Sequence, residues 1–153
     1  MSFSLRAICE IQETNVLLHG HCECERVSFI VDGNIEQLSH CHCSQCRRLH
    51  GAAYGSYARV AKQKFQYLTG ANELKNYASS EGSTRVFCTH CGSNIMVIVA
   101  DEPKELFLAM GVIDGDPILP DDCHHIFVDS KAPWHNITDD LPQYDEFVPE
   151  IES

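Results

Sequence analysis

The sequence predicts a mainly β protein organised around cysteine clusters, and three observations carry that expectation. Short runs of β-branched and aromatic residues recur at regular spacing between turn-forming residues, the pattern of an all-β domain. No segment sustains the periodicity of an amphipathic helix. Seven of the nine cysteines fall into three groups at metal-ligand spacing: Cys22-Glu23-Cys24, Cys41-His42-Cys43-Ser44-Gln45-Cys46 and Cys88-Thr89-His90-Cys91.

Residues 1–15 hold one candidate edge strand, Leu5 to Ile11, and from Val16 the text is β-like, with Val16-Leu17-Leu18 leading into Gly20 and the first cysteine pair. Val27, Phe29 and Val31 alternate with Ser28 and Ile30, a strand with one buried face that stops at the turn signal Asp32-Gly33-Asn34. Gln37 to Cys43 is the next strand and feeds the central cysteine group. Arg47 to Ser56 contains Gly51 and Gly55 and has room for one helical turn. Strands follow at Tyr57 to Val60, Phe65 to Leu68 and Leu74 to Tyr77, then at Thr84 to Phe87 and Asn94 to Val99 around the last cysteine pair. Leu106 to Gly111 and Ile126 to Asp129 complete the set, with a short helical turn expected at Glu102 to Leu106. Neither a repeat nor a linker divides the chain, so residues 1–153 are expected to form a single zinc-binding domain with an acidic C-terminal tail.

A thiolate is a soft ligand suited to zinc, which is usually held tetrahedrally. On a Cys-x-Cys strand both sulfurs point to one face, and a Cys-x-x-Cys turn folds back to aim both at one point. Seven thiols divide most simply as four plus three. Four close a structural site, whereas three leave a coordination position open for water or substrate. A histidine completing a second structural site is the rival reading, with His40, His42, His50, His90 and His124 as candidates by composition. His42 is disfavoured, because on a strand it points away from Cys41 and Cys43.

Composition excludes several classes. Hydrophobic content of 44% fits an ordinary globular chain, and a formal charge of −11 repels phosphate backbones, so no nucleic-acid partner is expected. No stretch approaches the about 18 apolar residues of a membrane span, and the N-terminus lacks a signal-peptide core, so no membrane partner is expected. An odd number of cysteines at zinc spacing points to a reducing, cytoplasmic compartment, with zinc thiolates rather than disulfides and Cys9 a lone reduced thiol.

Gly20-His21-Cys22-Glu23-Cys24, Cys41-His42-Cys43-Ser44-Gln45-Cys46-Arg47 and Phe87-Cys88-Thr89-His90-Cys91-Gly92 together resemble the glutathione-dependent formaldehyde-activating enzyme family. Later blocks also look like the family's: Met110-Gly111-Val112-Ile113-Asp114, His125 through Trp134, and Leu141-Pro142-Gln143-Tyr144. The similarity covers roughly residues 16–145. It implies several small coiled antiparallel β-sheets around zinc sites, the fold of the mammalian suppressor of Sec-four, a zinc-binding exchange chaperone. It also implies a ligand pairing that spacing alone leaves open: Cys22, Cys24, Cys88 and Cys91 on a structural zinc, and Cys41, Cys43 and Cys46 on a second zinc, the candidate catalytic one. One departure is visible. The residue after the first Cys-x-Cys is commonly glycine in the family and is Glu25 here, which resists positive φ, so a different local loop is expected.

The activity so implied is that of a zinc-dependent carbon–sulfur lyase, an S-(hydroxymethyl)glutathione synthase adding a glutathione-type thiol to formaldehyde or another small aldehyde. With three protein thiolates on the metal, thiol positioning is expected to matter more than carbonyl polarisation. The alternative from another class is a non-catalytic zinc module that binds a protein partner, like the exchange chaperone. A chromatin role like that of the related centromere protein V is opposed by the overall acidity. Among the remaining residues, Cys123-His124-His125 reads as a surface loop, Trp134 as a core plug, and the acidic run through Asp139, Asp140, Asp145, Glu146, Glu150 and Glu152 as a solvated tail. Arg47 and Arg48 are either solvated or available to a substrate carboxylate beside the open site.

Overall fold

The computed structural model describes residues 16–150. Within them the chain runs β1 (Leu17–His21), β2 (Ser28–Asp32), β3 (Gln37–Cys41), α1 (Ser44–His50), β4 (Gly55–Ala61) and β5 (Phe65–Thr69). It continues through β6 (Leu74–Ser80), β7 (Ser83–Cys88), β8 (Asn94–Val99), β9 (Glu105–Ala109) and β10 (Cys123–Ile126). The candidate strand at Leu5 to Ile11, and Cys9, lie outside the described residues.

Two sheets form. The smaller is antiparallel, in the order β1-β2-β5; the larger has seven strands in the order β10-β3-β4-β9-β8-β7-β6. Gly20 lies opposite Phe29 in the β1–β2 pair, and a Cβ there would stand 2.2 Å from Phe29 Cζ and 2.5 Å from Val112 O, so only glycine lets that ring lie across the strand.

Strand alternation then gives the large sheet two different faces. Ala58, Leu108, Met96 and Val86 follow one another across four neighbouring strands and pack against Leu18, Phe29 and Val31 of the small sheet, forming the main core. One residue along, Arg59, Phe107, Val97 and Arg85 form a parallel row on the opposite face. That face, with Cys41 and Tyr57, carries the second apolar cluster and lines a cleft.

Three local expectations need correction. Helix α1 runs seven residues, about two turns, because Cys43 caps its start and Gly51, at φ 58°, ends it with its N–H on Arg47 O. Glu102 to Glu105 is a single turn closed by Glu105 N–H on Glu102 O (3.1 Å), with no helix. The last strand lies at Cys123–Ile126, N-terminal to its expected place, and pairs in parallel with β3, making the large sheet mixed. It stops where Phe127 takes the left-handed conformation, φ 56°. Among the described residues no helix is long and apolar enough to cross a membrane.

Candidate metal centres

Two knuckles of the same construction make the first cluster. In each, the residue after the second cysteine is left-handed and returns its N–H to the carbonyl of the first cysteine. Glu25 (φ 62°) donates to Cys22 O at 3.0 Å, and Gly92 (φ 77°) donates to Cys88 O at 2.9 Å. Glu25 therefore does not force a different loop: it accepts the strained conformation that Gly92 adopts freely in the other knuckle. Ser93 ties the two together, its Oγ accepting from Glu23 N–H (3.0 Å) and lying 3.2 Å from Cys91 Sγ. The structure brings Cys22, Cys24, Cys88 and Cys91 to one point, their sulfurs all within 4.8 Å of one another. Cys22–Cys24 and Cys24–Cys88 stand 3.6 and 3.8 Å apart. A tetrahedron with Zn–S near 2.3 Å has edges of about 3.8 Å, so the donor set fits zinc.

The second cluster sits where β3 turns into α1. Cys41, Cys43 and Cys46 converge within the same limit, and among the described residues no fourth histidine, cysteine or carboxylate joins them. Each histidine considered as a fourth ligand is engaged elsewhere: His40 with Ser56, His50 with Tyr57, His90 with Glu73, His124 with Asp122 and His42 with His125. Cys43 Sγ also caps the helix, accepting from Cys46 N–H at 3.3 Å. Hydrogen bonds from Cys41 and Cys46 hold the Cys43 thiol far below the usual thiol range, while its bond to Cys43 pushes Cys41 up. A bound metal would let all three ionise.

Sequence reasoning missed the side chains that support this cluster. Tyr57 Oη donates to Cys46 Sγ (3.4 Å) and accepts from Arg85 Nη1 (2.8 Å) and His50 Nε2 (2.8 Å). That arrangement requires His50 to carry its proton on Nε2. Arg85, buried at 8% exposure, also donates to Gln45 Oε1 (3.1 Å) and Ser79 Oγ (3.0 Å), and its Nη2 lies 3.8 Å from Cys46 Sγ. Burial opposes the Arg85 charge, but Tyr57 and Cys46 outweigh it and the guanidinium pKa is raised; burial and then Cys46 push Tyr57 up, keeping it a donor. The available signal was an arginine in the middle of an apolar strand, three residues before a knuckle.

Above these thiols opens a cleft of about 890 Å³ walled by Tyr57, Val97, Val99, Phe107, Ile126 and Phe127. The acidic side chains Asp139, Asp140, Asp145, Glu146 and Glu150 are exposed, as expected of a solvated run (Glu152 lies outside the described residues), but the backbone between them is held. Residues 142–146 run beside β10, with Tyr144 N–H on His125 O and Phe127 N–H on Glu146 O, both 3.0 Å. Phe147 then meets Phe127 edge to face at 4.7 Å and, with Val148 and Glu150, closes one side of the cleft.

Cys123-His124-His125 is likewise no surface loop: His124 and His125 are 3% and 1% exposed. His125 Nε2 lies 3.1 Å from both Asp139 oxygens, and its Nδ1 is 2.8 Å from His42 Nε2. With Asp139 accepting, both imidazoles carry their proton on Nε2, and His42 Nδ1 is left buried without a partner. Trp134 is 70% exposed and no core plug; the turn closed by His135 N–H on Ala132 O buries Ala132 instead. Arg47 braces the helix, donating to His42 O (3.3 Å) and Ser130 O (3.4 Å).

Residues 17–130 match the family model described as glutathione-dependent formaldehyde-activating enzyme. A Halomonas elongata protein that carries this name provisionally is 30% identical over 130 residues, 80% of this chain and 82% of that one. An uncharacterized lyase of Schizosaccharomyces pombe is 23% identical over 96 residues, 63% of this chain and 68% of its own. The crystal structure of a Rhodobacter sphaeroides protein superposes with a TM-score of 0.56 at 22% identity, covering 67% of this chain and 97% of that one, and shows the shared fold. With its knuckles, its three-thiol corner and three quarters of its length matched, this chain belongs to the glutathione-dependent formaldehyde-activating enzyme family.

Proposed function

We propose that Cys22, Cys24, Cys88 and Cys91 hold a structural zinc, and that Cys41, Cys43 and Cys46 hold a second zinc at which a glutathione-type thiol is activated to add to formaldehyde or another small aldehyde. One observation carries the reading: the four-thiol point is complete, whereas three thiols converge on the floor of a cleft with no fourth protein ligand among the described residues. A free thiol is only a few per cent ionised near neutrality, and zinc held by three thiolates supplies an open position that favours the thiolate of an incoming thiol. In the addition a carbon–sulfur bond forms, the carbonyl π pair moves to oxygen, and the thiol's proton ends on that oxygen. The chain contributes position: Tyr57 and Arg85 hold Cys46 through contacts to its sulfur, and Val97, Phe107 and Phe127 give the cleft beside the thiols an apolar wall. The described cysteines are all free, which accords with a reducing compartment such as the cytoplasm.

Calorimetry with glutathione and its S-methyl form tests the reading. Glutathione should bind more tightly as pH rises towards its thiol pKa, the S-methyl form should bind poorly, and Cys43→Ser should abolish glutathione binding in a folded protein. Equal binding of both forms, or of neither, would instead favour the zinc module that docks a protein partner.

A further inference from the structure

Arg59 stands two residues beyond Tyr57 on β4 and so faces the same cleft, about 7 Å farther along the strand. Its Nε is buried and has no hydrogen-bond partner. Its charge is paired loosely with Glu36, whose Oε2 lies 3.6 Å from Nε, too far for a hydrogen bond, and the two side chains are 32% and 43% exposed, so a ligand carboxylate can compete for the guanidinium. Asp122, a further carboxylate that feels the Arg59 charge, already accepts from Gln37 Nε2 (2.7 Å) and His124 Nδ1 (2.8 Å). A buried guanidinium nitrogen without an acceptor is costly unless a ligand supplies one.

The other arginines near the cleft are engaged. Arg85 is held by Tyr57, Gln45 and Ser79, and Arg47 by two backbone carbonyls. Phe107 and Val97 separate Arg59 from Arg85 along one cross-strand row, so an apolar surface runs between the two guanidinium groups. Asp101, Glu102 and Glu150 supply carboxylates to the same cleft. The lining therefore offers a site for one carboxylate, acids for an ammonium group, and the thiol corner at its floor.

We propose that Arg59 is the specificity-determining anchor for a carboxylate of the substrate thiol, which makes that substrate an amino-acid or peptide thiol with an ammonium group turned towards the Asp101, Glu102 and Glu150 side. This rests on the thiol-activation reading and refines it. The guanidinium fork grips a carboxylate through two parallel bonds, a geometry that lysine cannot copy.

Calorimetry on the protein with its native metal content tests the assignment, with glutathione and its dimethyl ester as probes. Wild type should bind the ester at least about tenfold more weakly than the free acid. Arg59→Ala should lose a similar factor for glutathione and no longer distinguish acid from ester, while Arg59→Lys recovers only part. The ester comparison on wild type stands even if a variant misfolds. Tight, equal binding of acid and ester by wild type overturns the role of Arg59 and leaves thiol activation intact, as does an unaltered acid-over-ester preference in folded Arg59→Ala. Absence of glutathione binding to wild type overturns both.

Discussion

Arg85 Nη1 and Tyr57 Oη meet at 2.8 Å although their strands, β7 and β4, are separated in the sheet by β8 and β9. The meeting point is a phenol whose single proton is given to Cys46 Sγ. Tyr57→Phe removes that donor and leaves Arg85 Nη1 and His50 Nε2 without their acceptor, while Arg85 keeps Gln45 and Ser79. The expected cost is about 1–3 kcal/mol in denaturant unfolding. Hydrogen bonds behind metal ligands are typically worth about 10–100-fold in affinity, so the three-thiol site should lose metal to a competing chelator by that factor. Unchanged chelator competition would show that the phenol supports packing alone.

The two clusters should respond oppositely to loss of a thiol. Cys24 and Cys88 are 64 residues apart, so the four-thiol site closes a long loop, and its metal adds directly to folding stability. Cys88→Ser should aggregate or melt far below wild type. Cys43→Ser removes a ligand from a corner built within six residues, Cys41 to Cys46, and should stay folded with one metal equivalent fewer. Melting curves and elemental analysis of both variants check this, and similar melting of the two would contradict the structural role.

Glu25 holds φ 62° without the freedom of glycine. Glu25→Gly should raise stability by about 0.5–1 kcal/mol, because relief of the left-handed strain outweighs the added entropy of the unfolded chain. Chemical denaturation of the metal-loaded protein measures it, and a destabilised variant would mean that the carboxylate contributes more than the backbone loses.

His42 is pushed down to about 4, by burial first and then by His125 and His135. Its native pKa lies below that of the unfolded chain, which therefore binds the extra proton. Stability from this group is complete above about pH 6.5 and is lost as pH falls towards 4, a change on the order of 3 kcal/mol. Imidazole resonances followed by NMR should show His42 neutral, protonated on Nε2, down to about pH 5; a midpoint near 6.5 would refute the buried relay.

The strands were legible because alternation and turn residues are local: Asn94–Val99 falls where the sequence places it, and Phe29 and Val31 are buried as their spacing requires. The cysteine groups were legible because ligand spacing is local within each group. What was not legible depends on long-range pairing. His124 and His125 read as surface until β10 docks on β3, more than eighty residues earlier, and seals them. Arg85, Tyr57 and Arg59 acquire meaning only when the row across β4, β9, β8 and β7 is known, and the tail only when Phe147 reaches Phe127.

The separation of Cys22 and Cys24 from Cys88 and Cys91 also sets an order during biosynthesis. A chain made from its N-terminus exposes five clustered thiols, Cys22 through Cys46, before either cysteine of the second knuckle exists. The helix corner is complete once Gly51 has emerged, so it can take up metal early, while the first knuckle waits for its other half. The strand that seals His125, and the tail that walls the cleft, are translated later still. In the nascent chain, the reactive corner is therefore accessible before the chamber that will shelter it has been built.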